Sequence, residues 1–320
     1  MTDSLAAAEA AVKANNPQLA LIELTAAVKA SPANPRLRIF LAQLLCVLGQ
    51  WERAHTQLNV VADLDPATGP MREMVGHALR GELLRAEVFA GKRVPMVFGQ
   101  PDEWLGLLIE SMLQTGQLSS VSQASQARQE SQDRQESQES QVSHASADAL
   151  AARAFEAAPA TRGRINGAPF EWIADADSRL GPVLEAMVNG RYYWIPFSRL
   201  TRVLIDAPTD LRDRVWLPAQ LSFVNGAAAI AMLPCRYPGS QTSDDGEILM
   251  TSKTQWHPIG PQGAAERYTG WGQRVLVTDL GEHDILSLRQ LELDPAEATT
   301  STAESAESAA LVPEAAPHHG

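Results

Sequence analysis

Residues 35–66 read PRLRIFLAQLLCVLGQWERAHTQLNVVADLDP, and this stretch decides the first half of the fold. Leu37, Leu41, Leu44, Leu45 and Leu48 recur at three- and four-residue spacing, the period of one buried helix face. A glycine turn in GQWERA then leads into a second helical run from Glu52 to Asp63. Laid over the preceding residues with a shift of 34, Ala54 falls on Ala20, Leu58 on Leu24, Val61 on Ala27 and Pro66 on Pro32.

That period, with a small residue where two helices cross and a proline at the end, is the pattern of tetratricopeptide repeats. Each hairpin is too small to bury its own apolar stripe, so neighbours stack and leave a concave groove. Mapping the repeat puts Arg36, Ile39, Gln43, Cys46 and Val47 on that concave face, where an amphipathic helix of a partner would lie. MREMVGHALRGELLRAEVFAG (residues 71–91) is expected as the next layer, although it departs from the repeat. A third copy is split: LLIESMLQTGQL reaches Gly116 as the second copy's first helix reaches Gly49, and ALAARAFEAAP closes on Pro159. Counting back from Pro159 puts the crossing residue at Ala147, and counting forward from Gly116 puts it at Val121. The surplus, Ser122 to Ala147, is Ser/Gln/Glu-rich, so a disordered insertion at a helix turn is expected over about 119–146, inside a helical domain of residues 1–160.

After Pro159 the helical period gives way to tryptophan, tyrosine, proline and glycine. VLEAMV and RYYWIPF flank Asn189-Gly190, and VWLPAQLSFV and AAAIAMLPCRY flank Asn225-Gly226, both type I′ hairpin signals. GQRVLVTDL and DILSLRQLEL add strands around Gly281. Residues 165–292 therefore predict an antiparallel β-rich domain, a curled sheet or small barrel, and the chain as a whole is α+β.

The net charge of −12 is uneven: six acids and no Lys or Arg follow from Glu292 to the end, so residues 293–320 are expected to be a disordered acidic tail. No basic face concentrates Lys and Arg for nucleic acid. The longest apolar runs reach about half of the ~20 residues a membrane span needs, and the first residues lack a signal-peptide pattern, so a cytoplasmic protein is expected. Two distant cysteines, Cys46 and Cys235, supply neither a disulfide framework nor a four-cysteine zinc site. The histidines lack ligand spacing and no glycine-rich phosphate loop occurs, so no metal and no cofactor is assigned.

The sharpest cluster is DADSR, residues 175–179. Asp175 and Asp177 would share a face of a strand, but a hard cation wants more oxygen ligands than SRLGP offers. General acid/base work needs a pocket that separates two pKa values, and no histidine or further carboxylate is close in sequence. The favoured reading makes the aspartates turn acceptors with Arg179 bridging to one of them. A partner surface using Trp172, Asp175, Asp177, Arg179 and Arg191, with Tyr192, Tyr193 or Trp194 as anchors, stands beside it. A hydrolase or metal-dependent enzyme using Asp175 and Asp177 is the alternative.

LRIFLAQLLCVLGQWERAHTQL, RAFEAAPATRGRINGAPFEWIADADSRLGPVLEAMVNGRYYWIPF and DLRDRVWLPAQL, followed by RYPGS, resemble the TagJ family, also called ImpE, accessory proteins of the bacterial type VI secretion system. The resemblance spans both halves and misses the Ser/Gln tract and the acidic tail. It implies a cytoplasmic, non-enzymatic adaptor that binds the small subunit of the contractile sheath, and the concave face read from the repeat would receive an amphipathic helix of that subunit. It also raises the expectation of a link between the sheath and the ClpV disassembly ATPase.

Overall fold

The computed structural model describes residues 2–126, 135–260 and 267–294. Helices α1 (Thr2–Lys13), α2 (Pro17–Ala30), α3 (Pro35–Val47) and α4 (Trp51–Leu64) form two antiparallel hairpins. The starts of α2 and α3 follow from sequence chemistry. Asn16 Oδ1 accepts from the Leu19 amide at 3.0 Å and Asn34 Oδ1 from the Arg36 amide at 3.0 Å, each with proline in the first helical position. Ala20 and Ala54 are fully buried at equivalent crossings, with Leu24 and Leu58 buried beside them, so the 34-residue register holds. Helix α5 (Gly69–Phe89) is the next layer, as expected.

A short strap with strand β1 (Met96–Val97) leads to helices α6 (Glu103–Gln126) and α7 (Gln135–Ala157). Ala147 is buried at their crossing, where its carbonyl accepts from Ser111 Oγ at 2.7 Å. Of the stretch expected to be a disordered insertion, about 119–146, α6 takes in residues up to Gln126 and α7 those from Gln135, and residues 127–134 lie outside the described residues. The tract holds neither proline nor glycine, and a helix already nucleated on a buried hairpin extends at little cost. Gly116 also differs from expectation. It does not end a helix but sits inside α6, where a Cβ would stand 2.5 Å from the Gly91 nitrogen and 2.5 Å from the Phe89 carbonyl. It is a close backbone contact rather than a turn.

The second half follows as β2 (Arg162–Ile165), β3 (Ala168–Phe170), β4 (Ile173–Asp175), β5 (Val183–Val188), β6 (Arg191–Pro196), β7 (Leu200–Ile205), β8 (Trp216–Phe223) and β9 (Ala228–Pro234). A short helix α8 (Gly246–Leu249) precedes β10 (Thr254–Pro258), β11 (Tyr268–Gly272), β12 (Val275–Thr278), β13 (Gly281–Asp284) and β14 (Gln290–Asp294). Nine strands make one sheet in the order β1-β6-β5-β9-β8-β7-β14-β2-β3, with separate β13-β12-β4 and β10-β11 sheets. The sheets do not close, so the architecture is a curled sheet rather than a barrel. Every pairing is antiparallel except the strap strand β1, which runs parallel to β6. Apart from β1, the strands run from Arg162 to Asp294, slightly outside the expected 165–292, and the tail from residue 295 lies outside the described residues.

Asn189 and Gly190 both take positive φ, 50° and 73°, as a type I′ turn requires. The second hairpin differs: only Gly226 is positive, at 82°, and Asn225 instead accepts from the Ala227 amide through its side chain at 3.0 Å. Alternation along β5 divides the core. Val183 and Met187 face the helices with Trp194, Trp216 and Met232, while Leu184, Ala186 and Val188 join Ile195, Leu217 and Leu233 on the opposite face. Burial on both faces explains why VLEAMV reads as a nearly unbroken apolar run.

Two helical glycines give opposite expectations from the same change. Gly76 in α5 has nothing within 4 Å of the point where a methyl group would stand, so Gly76→Ala should raise stability by about 0.5–1 kcal/mol. Gly116→Ala drives a methyl into backbone and should cost on the order of 1–3 kcal/mol. Urea unfolding of the two variants checks the sign of each.

Candidate functional site

The DADSR turn is assembled by its own aspartates. Asp175, the last residue of β4, accepts through Oδ1 from the Asp177 amide at 2.9 Å and from the Tyr237 hydroxyl at 3.1 Å. Its Oδ2 accepts from Arg274 Nη1 at 2.6 Å. Asp177 takes more donors. Its Oδ1 accepts from the Arg179 amide and Nε, both at 2.9 Å, and its Oδ2 from Arg179 Nη2 at 2.6 Å, the Gly270 amide at 3.0 Å and Thr269 Oγ1 at 3.2 Å. Both carboxylates are buried and every oxygen already accepts from the protein. The turn-acceptor reading, with Arg179 bridging, describes this geometry. A hydrolytic or metal-binding role would need oxygens directed at an open site, and among the described residues no group of three or more His, Cys, Asp or Glu is placed to hold a metal.

Asp175 is one end of a longer buried network. Arg274 also reaches Glu185 on β5, and Arg85 of α5 clasps Glu185 in a fork, Nε to Oε1 at 2.7 Å and Nη2 to Oε2 at 2.9 Å. The Tyr192 hydroxyl donates to Glu185 and accepts from Trp194 Nε1 at 2.7 Å. Arg85 Nη2 donates as well to the Arg236 carbonyl at 2.9 Å, and the Arg236 guanidinium caps α3 by donating to the carbonyls of Val47 at 2.6 Å and Cys46 at 3.0 Å. Glu82, one turn before Arg85, accepts from Trp216 Nε1 at 2.9 Å. The network therefore ties α3 and α5 to β4, β5, β8 and the segments around Arg236 and Arg274.

Burial pushes Asp175 up to about 6, more than Arg274 pulls it down, and burial lowers Arg274 to about 10. At neutral pH the pair stays ionic. Burial works against ionised Asp177 too, but the Arg179 charge and hydrogen bonds together with the Gly270 amide outweigh it, and its carboxyl is held below the usual range. Burial raises Tyr237 well above its ordinary value, and Asp175 and Asp177 add to that. Cys46 is pushed up by burial to about 12, so neither its position nor its acidity suits a nucleophile.

The concave face expected to hold a partner is largely occupied by this chain. Arg36 is exposed, and Ile39 and Gln43 are half-buried. Val47 and Cys46 are buried beneath Arg236, and Arg212 closes a small void lined by Ile39, Gln43, Cys46, Leu58 and Met71. The reason is the second domain, whose 211–214 turn and Arg236 fill the space a partner helix was expected to take. In the DADSR region, Asp175, Asp177, Tyr192 and Trp194 are buried and Arg179 is mostly covered, stacked over the Phe89 ring at 4.7 Å. Arg191 is exposed, and Trp172 is 40 % exposed at the rim of a depression of about 370 Å³ that includes Phe155 and Pro182.

A larger open groove lies elsewhere, between α4 and α5, with a volume of about 800 Å³. Trp51, Leu79 and Leu83 supply apolar surface, Arg53, His55 and Arg80 supply basic groups, and Glu52 supplies one acid. Leu83 is 58 % exposed, and the bare backbone of Gly76 deepens the floor. Trp51 is held from below by Trp216 of β8, ring centroids 5.7 Å apart. Sequence reasoning missed this groove because α5 departs from the repeat. The signal was the pairing of Leu79 and Leu83 one turn apart with an unneeded glycine at position 76.

The network makes the aspartates a matter of stability and pH. Between about pH 4 and 6 the folded chain holds a proton on Asp175 that the unfolded chain has released, so this group's contribution to stability falls as pH rises through the window. Chemical unfolding across that window should show Asp175→Asn gaining stability with pH relative to the unaltered chain. Asp177 has the opposite sign: its contribution is present above the unfolded carboxylate range and is lost as pH falls. At pH 7, Asp177→Asn should cost on the order of 3 kcal/mol by leaving Arg179 uncompensated. Elemental analysis that finds near-stoichiometric metal, lost in the double variant, would instead support the enzyme reading.

Comparison with known proteins adds the family. A family model described as ImpE protein matches residues 167–292, and a tetratricopeptide repeat model matches residues 11–74. A Pseudomonas aeruginosa protein named type VI secretion system accessory component TagJ is 42% identical over 291 residues, covering 91% of this chain and 92% of the relative. A crystal structure of a Vibrio parahaemolyticus protein superposes with a TM-score of 0.74 at 24% identity, covering 91% of this chain and 98% of that one, a likeness of fold. With identity to TagJ sustained through both the helical repeats and the sheet, the chain belongs to the TagJ/ImpE family.

Proposed function

We propose that this protein is a non-enzymatic, cytoplasmic adaptor of a type VI secretion system, and that it binds the small subunit of the contractile sheath through the groove between α4 and α5. The observation that carries the site is the groove itself, about 800 Å³, with Trp51, Leu79 and the exposed Leu83 in its lining. Its apolar side chains recur one turn apart on α5, the spacing that receives an amphipathic helix. Arg53 and Arg80 border it without an ion-pair partner among the described residues, so acids flanking the apolar stripe of the incoming helix would be favoured. No described helix is long and apolar enough to cross a membrane, which agrees with work among soluble components.

A link to the ClpV ATPase would use a second surface, and the rim with Trp172, Phe155 and Pro182 is the candidate for it. Arg36, exposed at the start of α3 and not part of the groove lining, serves as a control. The enzyme reading is disfavoured because the carboxylates it requires are saturated by protein donors.

The test is titration of the purified small sheath subunit against variants of the full chain. Leu83→Asp and Arg80→Glu, both at exposed positions, should weaken capture at least tenfold while leaving the melting temperature within a few degrees. Arg36→Glu should leave capture unchanged. Equal loss in this control, or no loss in the groove variants, would remove the groove from the account.

A further inference from the structure

We infer that the acidic C-terminal segment of this chain, around residues 301–312, docks in the α4/α5 groove and competes there with an incoming helix. The inference rests on the reading of that groove as a docking site and adds its regulation. Charge is the first ground. The chain carries a net charge of −12, yet the groove is bordered by Arg53, His55 and Arg80 against the single acid Glu52. The last 26 residues, 295–320, hold Glu297, Glu304, Glu307 and Glu314 and no Lys or Arg. An acidic segment tethered to the molecule is thus available to a basic-rimmed apolar groove on the same molecule.

Pattern is the second ground. Ser301-Thr302-Ala303-Glu304 carries the S-x-x-E signature of a helix start, an alanine-rich run follows, and Pro313 marks a stop. Glu304, Glu307 and Leu311 are spaced three and four residues apart, so a helix would set two acids and one apolar anchor on a single face. The groove offers the complement, with Leu79 and Leu83 on its wall and Arg80 between them on the rim. A helix of about a dozen residues is marginal alone, so docking would be coupled to its formation.

Reach is the third ground. The described chain ends at Asp294 in β14; the seven residues to Ser301 span about 23–25 Å extended, and a helix from there to Leu311 adds about 15 Å. That reach of about 40 Å is about twice the radius of gyration of about 20 Å for a compact chain of this length, so the tether spans most of the molecule. Because the contact is intramolecular, even weak intrinsic binding gives appreciable occupancy at the millimolar effective concentrations a short tether provides.

The experiment uses the full chain with the photo-cross-linker benzoylphenylalanine in place of Leu83 and maps the adducts by mass spectrometry. Adducts to peptides within 295–320, at a yield independent of protein concentration and lost in the double variant Glu304→Lys, Glu307→Lys, are the expected result. Adducts confined to other segments, adducts only between copies, or no loss in the double variant overturn the proposal. Purified small sheath subunit added to the same chain separates the two readings. Displacement of the tail adduct by a sheath adduct supports both, a sheath adduct with no tail adduct at any stage sinks only the tail, and a tail adduct that the bound subunit never displaces sinks competition and moves the sheath site elsewhere. Without the cross-linker, the double variant should capture the subunit about tenfold more tightly, the gain expected if the tail fills the groove in about nine molecules of ten.

Discussion

The fork between Arg85 on α5 and Glu185 on β5, extended by Arg274 to Asp175, is the contact on which the joining of the two halves depends. Its ions are buried, and buried ion pairs are weak sources of net stability because desolvation offsets most of their attraction. Removing one member is different: it leaves an uncompensated charge in a dry core and costs several kcal/mol. The network therefore acts mainly on geometry. In this placement of α5 over β5, Glu185 is satisfied from both sides while Arg85 also reaches the Arg236 carbonyl. Apolar packing of Met187, Trp194 and Trp216 against the helices supplies the bulk of the driving force, and the ions select the register.

That register determines which surfaces remain open. Arg236 caps α3 and Arg212 closes over the face where a repeat protein would ordinarily receive its ligand. The β-rich half thus behaves as an intramolecular ligand of the repeats. Displaced from the concave face, the free apolar surface lies one layer on, between α4 and α5, and the same sheet supports it from below through Trp216 on Trp51. A groove formed by packed helices, with Trp51 backed by Trp216 of the sheet, is preformed, so little ordering is required of the protein when an occupant arrives. The acidic C-terminal segment and a partner helix would meet the same prepared surface.

Much of this was legible in the sequence where a local rule governs. The 34-residue register gave Ala20 and Ala54 at helix crossings, and Asn189-Gly190 marked a type I′ turn. The role of the DADSR aspartates was legible for the same reason, since amides two residues away complete their turns. What was not legible depends on distant partners. Gly116 looks like a helix-ending glycine until Gly91 is found against it, and Asn225-Gly226 resembles Asn189-Gly190 although its asparagine uses a side-chain acceptor instead of a positive φ. Val47 was placed on an open face because nothing in its neighbourhood announces Arg236, which lies 189 residues along the chain. The open groove was missed because α5 follows no repeat template, only the needs of the sheet it covers.

The most direct test of the central claim is hydrogen–deuterium exchange of the full chain with and without the purified small sheath subunit. The account predicts added protection over residues 51–56 and 76–83, with the buried network around Asp175 and Glu185 already protected in the free chain and unchanged on binding. Protection confined to α1 and α2 or to the rim near Trp172, with no change at the α4/α5 groove, would contradict it.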